Sequence, residues 1–181
     1  MGRAGEGHSP RRLQEHGAAQ DRGRHFRCRS AARMFIISAG LMVSMELREK
    51  ILDVIGGPHT AAVATLDGNG PAVRFMLLFG FPDMTLVGAT KRSSRKAAQL
   101  EKNPDVAIAM WSGKEFTDPY VEIRAQGRIH QDIATKKKYW NPMFLPYFRS
   151  VDNPDLVILL FTASEIAYYV PSTMSREVWK R

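Results

Sequence analysis

Between Met45 and Val170 the apolar residues recur at two spacings. In "MELREKILDVIGG", Leu47, Ile51, Val54 and Ile55 fall on one face of a helix, and Gly56, Gly57 and Pro58 end it. From there the spacing changes to that of strands. "TAAVATLD" has small and β-branched content, "DGNG" (Asp67 to Gly70) signals a hairpin, and "PAVRFMLLF" is the returning strand. "GFPD", Gly80 to Asp83, is a second turn and "MTLVGAT" a third strand. Ala97, Ala98 and Leu100 predict a helix from about Ser94 to Lys102, closed by "NPD" before a fourth strand, "VAIAMW".

The second half continues in kind. "YVEIRAQGRIHQD" alternates, with Val121, Ile123, Ala125 and Gly127 on one side, and reads as a fifth strand. "IATKKKYWNPMFLPYF" reads as a helix that ends in a proline-broken aromatic loop. "DNPD" turns into "LVILLFT", a sixth strand, and "SEIAYYV" is expected as a seventh. Short strands joined by hairpin turns, with a few helices at the margins, predict a mainly β protein: a β-barrel with flanking helices, or a sandwich. A parallel sheet needs a crossover between successive strands, and the first three strands have none. No G-x-G-x-x-G follows a strand and no P-loop is present.

Composition changes this picture mainly at the N-terminus. Residues 1–33 hold eight arginines against three acids, so much of the chain's formal charge of +8 sits there. The remaining residues are near balance, which argues against a nucleic-acid-binding domain. The segment lacks apolar periodicity and is expected to be a dispensable extension, residues 1–44, ahead of one domain over residues 45–181. The most apolar run of the chain, Met34 to Met45, is too short to cross a bilayer, so no membrane partner and a cytoplasmic location are expected. Cys28 is the single cysteine, and His59 and His130 belong to no metal-ligand pattern.

Two features bear on chemistry. "TKRSSRKAAQLEK" places Arg95 and Lys96 in the first turn of a helix that Ser93 or Ser94 can cap. The helix dipole favours acids there, so these cations are either a solvated basic start or a place for an anion such as a phosphate. Arg74 stands inside an apolar strand; alternation groups it with Met76 and Leu78, opposite Val73, Phe75 and Leu77. A guanidinium there either reaches solvent from an edge or needs a partner, and a phosphate suits it.

With "RFMLL" (74–78), "ATKRSSRKAAQLEKNPDVAI" (89–108), "KKYWNPMF" (137–144) and "DNPDLVILLFTASEIAYYV" (152–170), the chain resembles a known family. It is similar to the FMN-binding split-barrel proteins related to pyridoxamine 5′-phosphate oxidase, in the general stress protein 26-like branch. The resemblance implies a homodimer with FMN at the subunit interface. It implies that Arg74 contacts the flavin phosphate and that Phe75, Met76 and Leu77 border the isoalloxazine. Ala89 and Thr90 would lie near the ribityl or phosphate portion. Ser94, Arg95 and Lys96 would form the phosphate turn, and Tyr169 would approach the flavin of the other subunit.

The departures from the oxidases point to a different substrate. Tyr139 matches the substrate tyrosine of the oxidases, but Met143 stands at their arginine and Tyr147 at their serine. Tyr120 stands near the place of a family glutamine. The aromatic set Tyr139, Trp140, Phe144 and Phe148 either lines an apolar pocket or packs as core. The resemblance therefore implies an FMN-dependent oxidoreductase with a stress-related role that is not a true pyridoxamine phosphate oxidase. Two alternatives stand beside it: a flavin-binding protein without turnover, and a split barrel that uses deazaflavin F420 or haem. No catalytic acid, base or nucleophile is evident, as is expected where a flavin carries the redox chemistry. Substrate and electron donor are not legible.

Overall fold

The structure, a computed structural model, describes residues 45–111, 113 and 115–181. The expectation for residues 1–44 lies outside the described residues. Helix α1 covers residues 45–55 and is followed by β1 (Gly57–Leu66), β2 (Pro71–Gly80) and β3 (Thr85–Lys91). Helix α2 (Arg95–Lys102) leads to β4 (Asp105–Trp111) and β5 (Tyr120–His130). The short helices α3 (Ile133–Tyr139) and α4 (Leu145–Phe148) flank a 3-10 turn, and β6 (Leu156–Val170) and β7 (Ser175–Lys180) end the chain.

The strands form one antiparallel sheet in the order β3-β2-β1-β4-β5-β6-β7. Pairing of β3 with β6 closes the first six into a barrel. The β1–β2 hairpin has its turn at "DGNG": Asp67 N–H donates to Gly70 O, and Gly68 (φ 88°) and Gly70 (φ 139°) take the positive φ that other residues resist. Inside the barrel, Val63, Leu78, Leu86, Ile108, Ile123, Leu159 and Phe161 are almost wholly buried. Helix α1 adds Leu47, Ile51, Val54 and Ile55 to the same core. Each such side chain contributes roughly 1.5–3 kcal/mol of transfer free energy.

The sixth and seventh strands expected from the sequence are one strand. β6 runs unbroken through Ser164, which interrupts the alternation as a bulge: Arg124 faces Glu165 and Ala125 faces Ala163. At that bulge β6 changes its second neighbour. Its first half pairs with β3, as far as Thr162, and its second half, from Glu165, pairs with β7. The strand β7 was not expected, because "SREVWK" carries two adjacent apolar residues rather than an alternation. It is held by pairing with β6 and by Trp179, buried opposite Ile166.

A second, smaller cluster lies outside the barrel. Phe144, Phe148, Val87, Leu156 and Ile158 pack with Phe79, Phe81, Tyr139 and Trp140. The edge-on contacts of Phe79 with Phe144 (5.6 Å) and of Phe81 with Tyr139 (5.5 Å) fix the α3–α4 segment against the barrel wall.

Candidate functional site

Strands β2 and β3 pair at only two positions, Phe79 with Val87 and Gly80 with Leu86. Extending that register would set Leu77 against Ala89, Met76 against Thr90 and Phe75 against Lys91. Instead the strands part. These six residues line a cleft of about 270 Å³, completed by Lys96, Phe144, Tyr147 and Phe148. The edge of β2 that would have paired with β3 therefore borders a hollow, where its backbone groups need another partner.

The cleft has two unlike halves. One wall, from the α3–α4 segment, is aromatic: Phe144, Tyr147 and Phe148. Tyr147 and, across from it, Phe75 are exposed (73% and 78%), so the mouth is open. The other end is cationic and hydroxylic. Ser94 caps α2, accepting from the N–H of Ala97 at 3.4 Å, and no acid stands in the first turn. Thr90, buried at the end of β3, donates to the Ser94 hydroxyl at 3.1 Å and accepts from Lys96 Nζ at 3.1 Å. Among the described residues Lys96 has no carboxylate partner. Burial, and then the Arg74 charge, hold its pKa below the ordinary lysine value.

Arg74 sits on the inward face of β2, as alternation required, but it is not left waiting for an anion. Its Nη1 donates to Thr65 Oγ1 (2.6 Å) and Val63 O (3.2 Å), and its Nη2 to Gln99 Oε1 (2.8 Å). Burial, then the charge of Arg95, lowers its pKa. The side chain does not line the cleft; it lies behind it, close enough for its charge to act on Lys96.

Of the residues singled out from the sequence, Phe75, Met76, Leu77, Ala89, Thr90 and Lys96 come together around this cleft, with Ser94 bonded to Thr90. Arg74 and Arg95 stand beside it through charge. Tyr169 lies elsewhere: it stacks on Tyr120 at 4.8 Å, accepts from Arg176 Nε at 2.9 Å and donates to Glu122 at 3.3 Å. Within this single chain it has no part in the cleft. The sequence reading missed Lys91, Thr65 and Gln99. A glutamine on the apolar side of a short helix was the available sign for the last.

A larger hollow, about 640 Å³, runs along the outer face of the sheet past Phe75, Trp111, Phe116 and Tyr120. None of its described lining residues is charged.

A closed antiparallel barrel split between two neighbouring strands, with a cation-ended cleft in the split, defines a class: the split β-barrels. The chain belongs to the pyridoxamine 5′-phosphate oxidase family, whose sequence model matches residues 47–169. It is 29% identical over 126 residues to general stress protein 26 of Bacillus subtilis, covering 69% of this chain and 89% of that one. The solved general stress protein 26 of Bacillus anthracis superposes with a TM-score of 0.64 at 27% identity, covering 75% of this chain and 98% of its own. A pyridoxamine 5′-phosphate oxidase-related, FMN-binding protein from Nostoc punctiforme shares the fold at 13% identity and a TM-score of 0.52, covering 79% and 95%.

Proposed function

We propose that this chain binds FMN in the cleft between β2 and β3 and acts as an FMN-dependent oxidoreductase. The observation that carries the reading is the parting of β2 and β3. It leaves a strand edge free beside a cleft that is aromatic at one end and cationic at the other. A flavin mononucleotide has the matching halves: a planar ring with a hydrogen-bonding edge, and a phosphate. The residues present fit the group. The backbone of Phe75, Met76 and Leu77 would take the ring edge. Lys96, Thr90, Ser94 and the α2 amides would take the phosphate, with Arg74 and Arg95 adding charge. Ala89 lies between the two halves. The flavin would supply hydride or electron transfer; the chain's residues would bind it, orient it and exclude water from one face.

The outer face of the sheet supports a homodimer. Ala62, Ala64, Ala107 and Ala109 form a smooth strip beside Val73 and Phe75, and Val73 is 67% exposed. Small apolar residues with protruding neighbours make a self-complementary surface, and a monomer rarely leaves one uncovered. A second copy on this face would meet the open mouth at Phe75, and Tyr169 would then reach the flavin of its partner.

The substrate is not pyridoxamine phosphate on this reading. Met143 stands where the oxidases carry an arginine and is half exposed, and the neighbouring wall of the cleft is aromatic. A second phosphate would lack its charge-assisted contact there. The relationship to general stress protein 26 supports a stress-related role. A deazaflavin also carries a phosphate; an F420 reductase and a mycobacterial haem-binding protein share the fold.

The test is the absorption spectrum of the purified protein, followed by release and identification of the chromophore. FMN bands are expected; a deazaflavin or Soret spectrum would replace the reading. Reduction of the bound flavin by NADH or NADPH would separate an enzyme from a carrier.

A further inference from the structure

Gln99 occupies a position where the pattern of α2 calls for an apolar side chain. It lies between Ala97 and Leu100 on the inward face and is 4% exposed. A buried amide is unfavourable unless its donors and acceptor are used. Here they are used in a specific way. Oε1 accepts from Thr65 Oγ1 at 2.7 Å and from Arg74 Nη2 at 2.8 Å, while Nε2 donates to Asp67 Oδ2 at 3.3 Å. One side chain thus joins the helix that begins at Ser94, the strand β1 and the β1–β2 turn, with the Arg74 guanidinium at the centre.

The character of these contacts matters. Arg74 is held by three neutral oxygens, those of Val63, Thr65 and Gln99. Among the described residues it forms no ion pair. Asp67 is bonded to the amide and not to the guanidinium. The contacts use both N–H groups of Nη1 and one of Nη2, so Nε–H and the second Nη2–H have no protein acceptor among the described residues.

We propose that Gln99 is a positioning residue for the anion end of the cleft. It fixes Arg74 behind the cleft through a neutral acceptor, so the guanidinium is oriented while its charge stays uncancelled for the ligand's phosphate. A carboxylate at this position would orient the guanidinium equally well and cancel its charge. An apolar residue would leave the charge and release the orientation. This rests on the flavin reading above, and the experiment separates the two.

Equilibrium dialysis of the full chain with FMN and with riboflavin gives the ratio of their dissociation constants, in wild type and in Gln99→Met and Gln99→Glu. The wild type is expected to prefer FMN. Both variants are expected to lose about ten-fold of that preference through weaker FMN binding, with riboflavin unchanged. Gln99→Glu keeps both acceptor contacts but gives up the donor bond to Asp67, so it is measured in an Asp67→Asn background as well and decides the matter if Gln99→Met does not fold. A packing role alone would shift FMN and riboflavin together, or leave the ratio of Gln99→Glu at the wild-type value; either result overturns the inference and spares the flavin reading. A wild type that binds the two flavins equally, or neither, overturns both.

Discussion

Lys96 donates from Nζ to the Thr90 hydroxyl at 3.1 Å, joining the first turn of α2 to the end of β3 that has parted from β2. A lysine with a hydroxyl for a partner, and no carboxylate among the described residues, has no neighbouring anion to neutralise it and can offer its charge to a ligand. Lys96→Ala should therefore weaken FMN binding by about ten-fold to over a hundred-fold, from a contact worth roughly 1.5–3 kcal/mol. Arg74→Ala should act in the same direction, with some loss of stability because Val63, Thr65 and Gln99 lose their donor. Riboflavin should bind both variants as it binds wild type, and Arg22→Ala should change nothing. Fluorescence titration with the two flavins reads this; unchanged FMN affinity in Lys96→Ala would leave "TKRSSRK" as a solvated helix start.

The same lysine gives a pH dependence. Its pKa is lowered by burial and by Arg74. A bound phosphate dianion opposes both causes and raises it, so binding takes up a proton between the free and bound values. FMN affinity should fall as pH rises through that window, and riboflavin affinity should not. In the ligand-free chain the sign is reversed. A lysine with a depressed folded pKa binds fewer protons than the unfolded chain, so its unfavourable contribution is relieved as pH rises through the folded value. Titrations from neutral to alkaline pH, in wild type and Lys96→Met, check this; an equal slope in both would assign the effect to another group.

The alanine strip predicts how assembly can be broken. Ala107 faces Ala64 on one side and Arg124 on the other. Ala107→Glu would put a carboxylate beside Arg124 in the free chain, so folding should survive. In an isologous dimer the added side chain enters the interface twice, where its bulk breaks the fit of the small-residue strip and its charge, even beside Arg124, must be taken out of water. The dimer constant should weaken by about a hundred-fold or more. Sedimentation velocity at micromolar concentration should show wild-type dimers and variant monomers. A wild-type monomer that still holds flavin would remove the dimer from the proposal.

A chain beginning at Met45 should fold and bind the same ligand. Among the described residues α1 and the strands share one core, and the family match begins at residue 47. Thermal melting and flavin titration of the shortened chain test this. A loss of soluble protein would show that residues 1–44 contribute to the fold.

Much of the architecture is local and was therefore legible. Alternation placed Arg74 on the inward face with Met76 and Leu78, "DGNG" gave the first hairpin, and "NPD" closed α2. The joining of "LVILLFT" to "SEIAYYV" was not legible. A bulge at Ser164 looks like a break when only the strand itself is read, and what carries the strand through is its exchange of β3 for β7.

The cleft divides in the same way. By itself the sequence determined the residue types: cations and hydroxyls at the start of α2, an arginine inside a strand, aromatics after α3. Those follow from periodicity and from the mismatch between charge and position, which are properties of neighbours along the chain. Only the tertiary structure decided that β2 and β3 part after two pairs, that Thr90 and Lys96 meet, and that Arg74 is bound by Thr65 and Gln99. Each joins residues from separate elements. The physical reason is barrel closure: pairing β3 along its length with β6 draws it away from β2, and no residue in either strand records that competition.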